Sequence, residues 1–249
     1  MALHSEATPL LLPNAWDRGS AALLESVGFK ALATTSGGYA MSLALRDGQV
    51  DARQTLEHVA SLVELTDLPI NADLEHGYGD DPDQAADTIR RASRIGAAGA
   101  SIEDWDPVRG RIYDLNHARD RIAASAEATR SSGRRLVLTA RAENHFRGRD
   151  DLDDTIARLC AYQDAGADVL YAPGVIRRQD IARVIEAIDR PLNVLAVPGV
   201  PELAELAELG VARVSLGGGL TRSAYAAAQR AATGFLERGA YPFEDLQNG

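Results

Sequence analysis

The sequence predicts an α/β fold of the (β/α)₈ barrel class, formed by one domain over residues 1–249. Short apolar, β-branched runs alternate with longer alanine-rich amphipathic segments along the whole chain. Strict alternation requires parallel strands with crossover helices, and eight such units in about 250 residues is the count of this barrel. One helix-glycine-strand phrase also recurs, as in "QDAGADVLY" and "AELGVARVSL". A doubly wound open sheet is the structural alternative.

Eight runs are predicted to be strands, at 9–13, 30–36, 69–75, 100–104, 136–143, 168–173, 191–197 and 212–218. Eight segments with helical spacing of apolar residues lie between or after them. These predicted helices cover 17–27, 51–65, 83–96, 116–132, 151–165, 177–188, 201–209 and 221–238. Several of them end at glycine, as helices commonly do.

The composition excludes some classes of partner. The formal net charge is -10, which opposes binding to nucleic acid or to an anionic membrane surface. Cys160 is the one cysteine, so no disulfide framework or zinc-cysteine cluster forms within the chain. The start "MALHSEATPLLLP" lacks signal-peptide features, and no apolar run approaches the ~20 residues of a membrane helix. We therefore expect a cytoplasmic protein.

The stretch "PINADLEHGYGDD" places two acids at the end of a predicted strand. Residues at i and i+2 of a strand share a face, so Asp73 and Glu75 are expected to converge. Glu103 ends the next strand, and three carboxylates at one barrel rim suit Mg²⁺, or Mn²⁺, held partly through water. The alternative is that all three are solvated loop acids in a chain with 36 acidic residues.

Other rim residues suit an anionic substrate. Arg141 follows "LVLT" and could hold a carboxylate bidentately, although an ion pair with Glu103 or Glu143 would use the same group. "TTSGG" at 34–38 exposes backbone N–H groups and a hydroxyl, which fits an anion nest or an ordinary turn. The predicted substrate-binding residues are Trp16, which fits the core equally well, and Ser36, Gly37, Gly38, Arg141 and Asn193.

In order along the chain, "LLPNAWDRGSAALLESVGFKALATTSGG", "NADLEHGYGD", "GAAGASIEDW", "LVLTARAE" and "YQDAGADVLYAPG" resemble motifs of the isocitrate lyase/phosphoenolpyruvate mutase superfamily. The resemblance implies a (β/α)₈ barrel whose last helix is exchanged between subunits of a homodimer or homotetramer. It also implies a Mg²⁺ site that binds 2-oxo acids or their enolates, with Asp73, Glu75 and Glu103 at the metal. Arg141 and the Ser36–Gly38 loop then bind substrate anions. Asp47 in "LALRDGQ" looks like the family's acid after the second strand, with a role in the metal shell or in proton transfer, and Asp47 and Arg141 are the predicted catalytic residues.

The chain departs from the family pattern after the "IED" motif. It reads "DWDPVRGRIYDLN", without the loop cysteine of isocitrate and methylisocitrate lyases and without the loop lysine of phosphoenolpyruvate mutase. Glu143 also replaces the aspartate of "A-R-T-D-A". The leading prediction is a carbon-carbon lyase acting on a 2-oxo acid or 2-hydroxy carboxylate. The alternatives are a phosphonate enzyme of the mutase or hydrolase type, and a metabolite-binding barrel without catalysis.

Overall fold

The computed structural model describes residues 1–4, 8–131, 133 and 135–241, and its centre is a parallel sheet that closes into a barrel. Within these residues the sheet order is β1, β11, β10, β9, β8, β5, β4, β3, β2. The strands are β1 Leu10–Leu12, β2 Asn14–Ala15, β3 Leu32–Thr34, β4 Ile70–Asp73, β5 Gly99–Glu103, β8 Val137–Arg141, β9 Val169–Tyr171, β10 Leu192–Leu195 and β11 Arg213–Ser215. A separate antiparallel ribbon is formed by β6 Trp105–Asp106 and β7 Arg111–Ile112.

The first barrel strand is interrupted at Pro13, which separates β1 from β2. Proline lacks the N–H that a strand donates to its neighbour, although the Pro13 carbonyl still accepts from the Ala33 N–H at 2.8 Å. β1 pairs with β11 and β2 pairs with β3, so the two halves join the ends of the sheet. All eight predicted strands therefore form the wall, and the predicted (β/α)₈ barrel is confirmed.

The eight predicted helices are also present. They are α1 Arg18–Val27, α3 Ala52–Val63, α4 Pro82–Ile95, α5 Leu115–Ser131, α6 Leu152–Asp164, α7 Arg178–Ala187, α8 Leu203–Leu209 and α9 Gly219–Arg238. Residue 132, the last of the predicted helix 116–132, lies outside the described residues. Asp17, Asp51 and Asp81 cap α1, α3 and α4 by accepting backbone N–H groups of the first turn.

Two short helices were not predicted. A 3₁₀ turn covers Ala2–His4, and α2 covers Ser36–Ser42, where the sequence suggests a glycine-rich turn. Two glycines in the first turn lower helix propensity. The Thr35 hydroxyl nevertheless caps α2 by accepting from the Gly38 N–H at 3.3 Å. The second barrel strand is thus followed directly by a helix that begins at the rim.

The hydrophobic core lies between the barrel wall and the surrounding helices. Ile102, Leu138 and Leu170 are buried there, and each side chain contributes about 1.5–3 kcal/mol by leaving water. Strand residues alternate between faces, so Thr139, next to Leu138, faces the barrel interior. The interior is consequently polar around Thr139 and Asn193, both of which are buried. This polar interior becomes the floor of the cavity described below.

Helix α9 leaves apolar side chains in solvent, including Phe235 and Leu236 at 56% and 86% exposure. The exchange of this helix between subunits stays a prediction. No helix among the described residues combines the length and apolar character needed to cross a membrane.

The stability of the barrel is expected to fall at acid pH, in part through His58. Its ring stacks on Tyr39 with centroids 3.9 Å apart, and burial lowers its pKa to about 4. The native state keeps His58 neutral while the unfolded chain binds a proton below about pH 6.5. This contribution is therefore complete above pH 6.5 and is lost as the pH falls toward 4, by up to about 1.4 kcal/mol per unit.

We expect His58→Gln to reduce the difference between the free energies of unfolding at pH 7 and at pH 5, both measured by urea denaturation. His117→Gln, at a partly exposed histidine of α5, serves as the control and should keep the wild-type slope. Equal slopes for His58→Gln and the wild-type protein would refute the assignment.

Candidate active site

A cavity of about 680 Å³ opens at the carboxyl ends of the barrel strands. This is the face on which (β/α)₈ barrels assemble their active sites. The predicted site residues that line it are Ser36, Gly37, Gly38, Asp47, Asp73, Glu75, Glu103, Arg141 and Asn193. The structure therefore brings together nine of the ten residues selected from the sequence.

Asp73 and Glu75 converge in this cavity, but not by the predicted geometry. Strand β4 ends at Asp73, and Glu75 has a φ of 47°, in the left-handed region. The prediction of one strand over 69–75 with both acids on the same face is thus wrong in its last two residues. A tight turn brings Glu75 to the cavity instead, and its Oε1 accepts from the Tyr78 hydroxyl at 3.1 Å. A non-glycine residue in this region carries backbone strain that the surroundings must hold.

The turn after Glu75 is held by Arg121 from α5. The Arg121 guanidinium donates to the carbonyl oxygens of Gly79 at 2.6 Å and Asp80 at 2.5 Å, and also to that of His76. Arg121 is 1% exposed, and its guanidinium lies 4.6 Å from the centre of the Tyr113 ring. One buried cation therefore fixes the backbone that positions Glu75.

We expect Arg121→Met to destabilise the protein by about 2 kcal/mol, because buried carbonyl groups lose their hydrogen-bond donor. Turnover should fall as well, since the turn that carries Glu75 is no longer fixed. Thermal unfolding and steady-state rates measure the two effects. Arg119→Met on the same helix is the control, because the Arg119 guanidinium is itself largely exposed and pairs with the exposed carboxylate of Asp120. An Arg121→Met protein as stable as this control would contradict the role.

Arg141 forms the centre of an ion-pair cluster at the rim. Its guanidinium contacts Asp73 Oδ1 at 3.1 Å, Glu103 Oε2 at 3.1 Å and Glu143 Oε1 at 2.7 Å. Both ion pairs that the sequence offered as alternatives to substrate binding are therefore present, together with a third one to Asp73. The substrate-binding role of Arg141 stays a prediction, and its observed contacts orient three carboxylates.

Two members of the cluster were missed by sequence reasoning. Glu143 is fully buried, and its N–H donates to Asp104 at 2.8 Å. Arg147, in the loop after β8, contacts Glu103 at 3.3 Å and Glu143 at 3.4 Å and lies over the Trp105 ring. Glu143 was offered only as an ion-pair partner of Arg141 and as a departure from a family motif, and it was not selected as a site residue. Arg147 follows in a loop, where no periodicity predicts the direction of a side chain.

The charges of this cluster do not balance. Asp73, Glu75, Glu103 and Glu143 supply four carboxylates, and Arg141 and Arg147 supply two guanidinium groups. Burial and the charges of Asp73 and Asp47 raise the pKa of Glu75 to about 7. Burial and the charge of Glu143 raise the pKa of Glu103. Both shifts arise first from burial, and neighbouring carboxylates add to them.

A divalent cation suits this imbalance. Hard carboxylate oxygens are the donors that Mg²⁺ selects, and Asp73 and Glu75 are the two that would hold it. Glu103 is engaged by arginines, so a role next to the metal fits it through bound water. No three histidine, cysteine or carboxylate side chains of the described residues form a group that could hold a metal by themselves. The three-carboxylate site therefore stays a prediction.

The predicted anion loop is the first turn of α2. The Ser36 N–H donates to Asp73 Oδ2 at 3.0 Å, so this donor orients a carboxylate in the structure. A Cβ at Gly37 would lie 3.3 Å from the Asp47 carboxylate, and one at Gly38 would lie 2.5 Å from Thr221. Glycine at both positions therefore lets α2 approach these groups. Asp47 lies beside this turn and lines the cavity, and its catalytic role stays a prediction.

Trp16 requires a correction. It was predicted to bind substrate, but it does not line the cavity. Its Cβ lies behind Gly38, and its N–H donates to Ser20 at 3.0 Å at the start of α1. Trp16 therefore supports the first turn of α2, which is the packing role that the sequence left open for it.

The segment after Glu103 is a short ribbon, β6–β7, at the side of the cavity. Arg109 at its tip pairs with Asp106 at 2.9 Å and with Asp80 at 3.4 Å. Trp105 and Pro107 line the cavity. The ribbon is thus tied by ion pairs to the turn that follows Glu75.

The chain was compared with known proteins. The family model for phosphoenolpyruvate phosphomutase matches residues 1–236. A protein of unassigned function from Mycobacterium tuberculosis is 34% identical over 231 residues, which cover 90% of this chain and 86% of that protein.

Two solved structures extend the comparison. One, from Burkholderia cenocepacia J2315 and provisionally described as a lyase or mutase, is 48% identical and has a TM-score of 0.95, covering 100% of this chain and 91% of that one. The structure of 2,3-dimethylmalate lyase, a member of the phosphoenolpyruvate mutase/isocitrate lyase superfamily, is 28% identical. Its TM-score is 0.86, with coverage of 96% of this chain and 86% of that one.

Proposed function

Since the chain belongs to the phosphoenolpyruvate phosphomutase family, within the isocitrate lyase/phosphoenolpyruvate mutase superfamily, we propose that it is a Mg²⁺-dependent carbon-carbon lyase. Its substrate is a small 2-oxo acid or 2-hydroxy carboxylate that reacts through an enolate. The similarity to 2,3-dimethylmalate lyase supports this type of bond cleavage. The main observation behind the proposal is the cluster of four carboxylates and two arginines in the rim cavity, in which negative charge is in excess.

Each group of the cluster has a part in this reaction. Asp73 and Glu75 would hold Mg²⁺, which when bound supplies a Lewis acid that stabilises negative charge on a 2-oxo acid. Arg141 fixes Asp73, Glu103 and Glu143 in one arrangement before substrate arrives. Such preorganisation means that little rearrangement is needed as charge develops in the transition state.

Two further elements prepare the cavity for an anion. The glycines of the α2 turn bring its backbone next to Asp47, which supports proton transfer near the substrate. The Arg147 guanidinium lies over the Trp105 ring, 4.3 Å from its centre, and both side chains line the cavity. Cysteine and lysine are absent from the 105–115 segment. The proton donor therefore has to come from another part of the cavity.

Turnover screening tests the proposal. The purified protein is incubated with a panel of 2-oxo acids and substituted malates, with Mg²⁺ and with EDTA, and cleavage products are detected by NMR. We expect Mg²⁺-dependent formation of a 2-oxo acid or its cleaved fragment, together with a Mg²⁺-dependent thermal shift by oxalate. Neither turnover nor an oxalate shift in the presence of Mg²⁺ would refute the proposal.

The phosphonate alternative uses the same barrel, and the matching family model bears the name of a phosphomutase. Phosphorus NMR of phosphonopyruvate incubated with the protein separates the two reactions. We expect no conversion, because a mutase-type loop lysine is absent from 105–115. Conversion to phosphoenolpyruvate or inorganic phosphate at a higher rate than any carbon-carbon cleavage would replace the lyase by this alternative.

A further inference from the structure

A buried cation outside the ion-pair cluster lies at the floor of the same cavity. Arg213 on β11 is 4% exposed, and its side chain contributes to the cavity wall. Ser215 follows two residues later on the same face of the strand and also lines the cavity. This arginine was not selected from the sequence. The available signal was a charged residue at an inward position of the apolar run "ARVSLGG".

The hydrogen bonds of Arg213 go to neutral side chains. Its Nε donates to Asn193 Oδ1 at 2.8 Å, and its Nη2 donates to Thr139 Oγ1 at 3.0 Å. Asn193 is fixed in turn, since its Nδ2 donates to Ser215 Oγ at 3.0 Å. Arg213 forms no ion pair with any residue that the structure describes, and its Nη1 donates to none of them. The plane of the guanidinium is thus fixed while part of its donor capacity stays unused.

Other arginines in the interior are compensated differently. Arg158 pairs with Asp104 at 3.1 Å and Asp154 at 2.9 Å, and Arg121 donates to three backbone carbonyl groups. A buried charge without a counterion is costly. Burial lowers the pKa of Arg213 to about 10, which still leaves it charged at neutral pH. Arg213 therefore retains a positive charge that a bound anion would neutralise.

Arg213 lies close to the ion-pair cluster around Arg141. Thr139, its hydrogen-bond partner on β8, precedes Arg141 by two residues, and strand geometry separates such positions by about 6.6 Å. Tyr171 lies between the layer of side chains that contains Arg141 and the layer that contains Arg213. The Arg141 guanidinium is 5.2 Å from the centre of the Tyr171 ring, and the Tyr171 hydroxyl neighbours Ser215. A small molecule at the rim cluster is thus within reach of the floor.

We propose that Arg213, held by Asn193 and Thr139, is an anion subsite that binds the second carboxylate of a dicarboxylic substrate. This inference rests on the proposed function, because it places the reacting end of the substrate at the rim cluster. Arg141 is neutralised by protein carboxylates, whereas Arg213 is not. The cavity floor therefore favours substrates that carry a second carboxylate. A charge-assisted hydrogen bond between Arg213 and that carboxylate is the source of the preference.

Matched ligand pairs test the subsite. Dissociation constants are measured by calorimetry with Mg²⁺ for oxaloacetate against 2-oxobutyrate and for 2-oxoglutarate against 2-oxovalerate. Within each pair the chain length is equal, and a methyl group replaces the distal carboxylate. We expect the wild-type protein to bind the dicarboxylate about 10- to 100-fold more tightly in at least one pair. Oxalate, which is too short to reach the floor from the rim, is the reference ligand.

Variants then assign the preference to Arg213. Arg213→Gln is expected to remove the preference and to keep oxalate affinity within threefold, whereas Arg213→Lys should retain part of the preference. Arg53→Gln, at an exposed arginine paired with Glu57, is the control for loss of one positive charge. The melting temperature of Arg213→Gln without ligand should equal or exceed that of the wild-type protein, because an uncompensated buried charge is removed.

The outcomes separate this inference from the proposed function. A wild-type protein with no preference in either pair, or an Arg213→Gln protein that keeps it, overturns the subsite. Should Arg213→Gln fail to fold, unchanged preference in both Arg213→Lys and Asn193→Ala overturns it equally. An Arg213-dependent preference without any Mg²⁺-dependent oxalate binding supports the subsite and removes the metal-assisted reaction.

Discussion

Asp73→Asn is expected to lower Mg²⁺-dependent turnover by at least about 100-fold, the scale of losing one preorganised electrostatic contact in an active site. Asp73 contacts the Ser36 N–H, Arg141 and the cavity, so it links the α2 turn to the predicted metal position. Steady-state rates at saturating substrate measure the loss. Calorimetric titration with Mg²⁺ should show weakened binding in parallel.

The same substitution is expected to leave stability nearly unchanged, within about 1 kcal/mol or about 4 °C in melting temperature. The reason is that it removes one negative charge from a cluster with two carboxylates in excess. Asp80→Asn, at an exposed carboxylate a few residues away, is the matched control and should retain full turnover. An Asp73→Asn protein with more than a tenth of wild-type turnover would contradict a metal role for Asp73.

Arg141→Gln, unlike Asp73→Asn, is expected to destabilise the protein by about 3–5 kcal/mol. This is the effect of leaving buried charges without their partner. Glu143 is fully buried and Glu103 is 8% exposed, so neither carboxylate gains much water when the guanidinium is removed. Denaturant unfolding in EDTA measures the loss. Added Mg²⁺ should restore part of it, because a cation replaces some of the missing charge.

Arg53→Gln is the control for this prediction, since Arg53 pairs with Glu57 and both side chains are more than half exposed. Its removal should change stability by less than about 1 kcal/mol. An Arg141→Gln protein that is as stable as Arg53→Gln would mean that the cluster rearranges to solvate Glu143. In that case, the fixed arrangement of carboxylates on which the proposed function depends would not exist.

The sequence predicted most of the fold because strand and helix periodicity are local properties. All eight strands and eight helices follow from apolar spacing, with glycines such as Gly28 and Gly210 ending helices in the left-handed conformation. Helix α2 was missed because its stability depends on the Thr35 cap and on packing of Gly38 against Thr221, neither of which propensity describes. The turn at Glu75 was missed because the apolar spacing that predicts a strand does not reveal that a non-glycine residue adopts a positive φ.

The sequence by itself determined which residues reach the rim, since parallel strands of a barrel must all end on one face. Asp73, Glu103 and Arg141 follow from that rule. Only the tertiary structure decided which charges neutralise one another, because ion pairs join strands far apart in the chain, as Arg141 joins Asp73. It also decided that, among the residues that the structure describes, no carboxylate pairs with Arg213 at the cavity floor. Whether a buried charge is compensated depends on distances across the barrel, which no local pattern encodes.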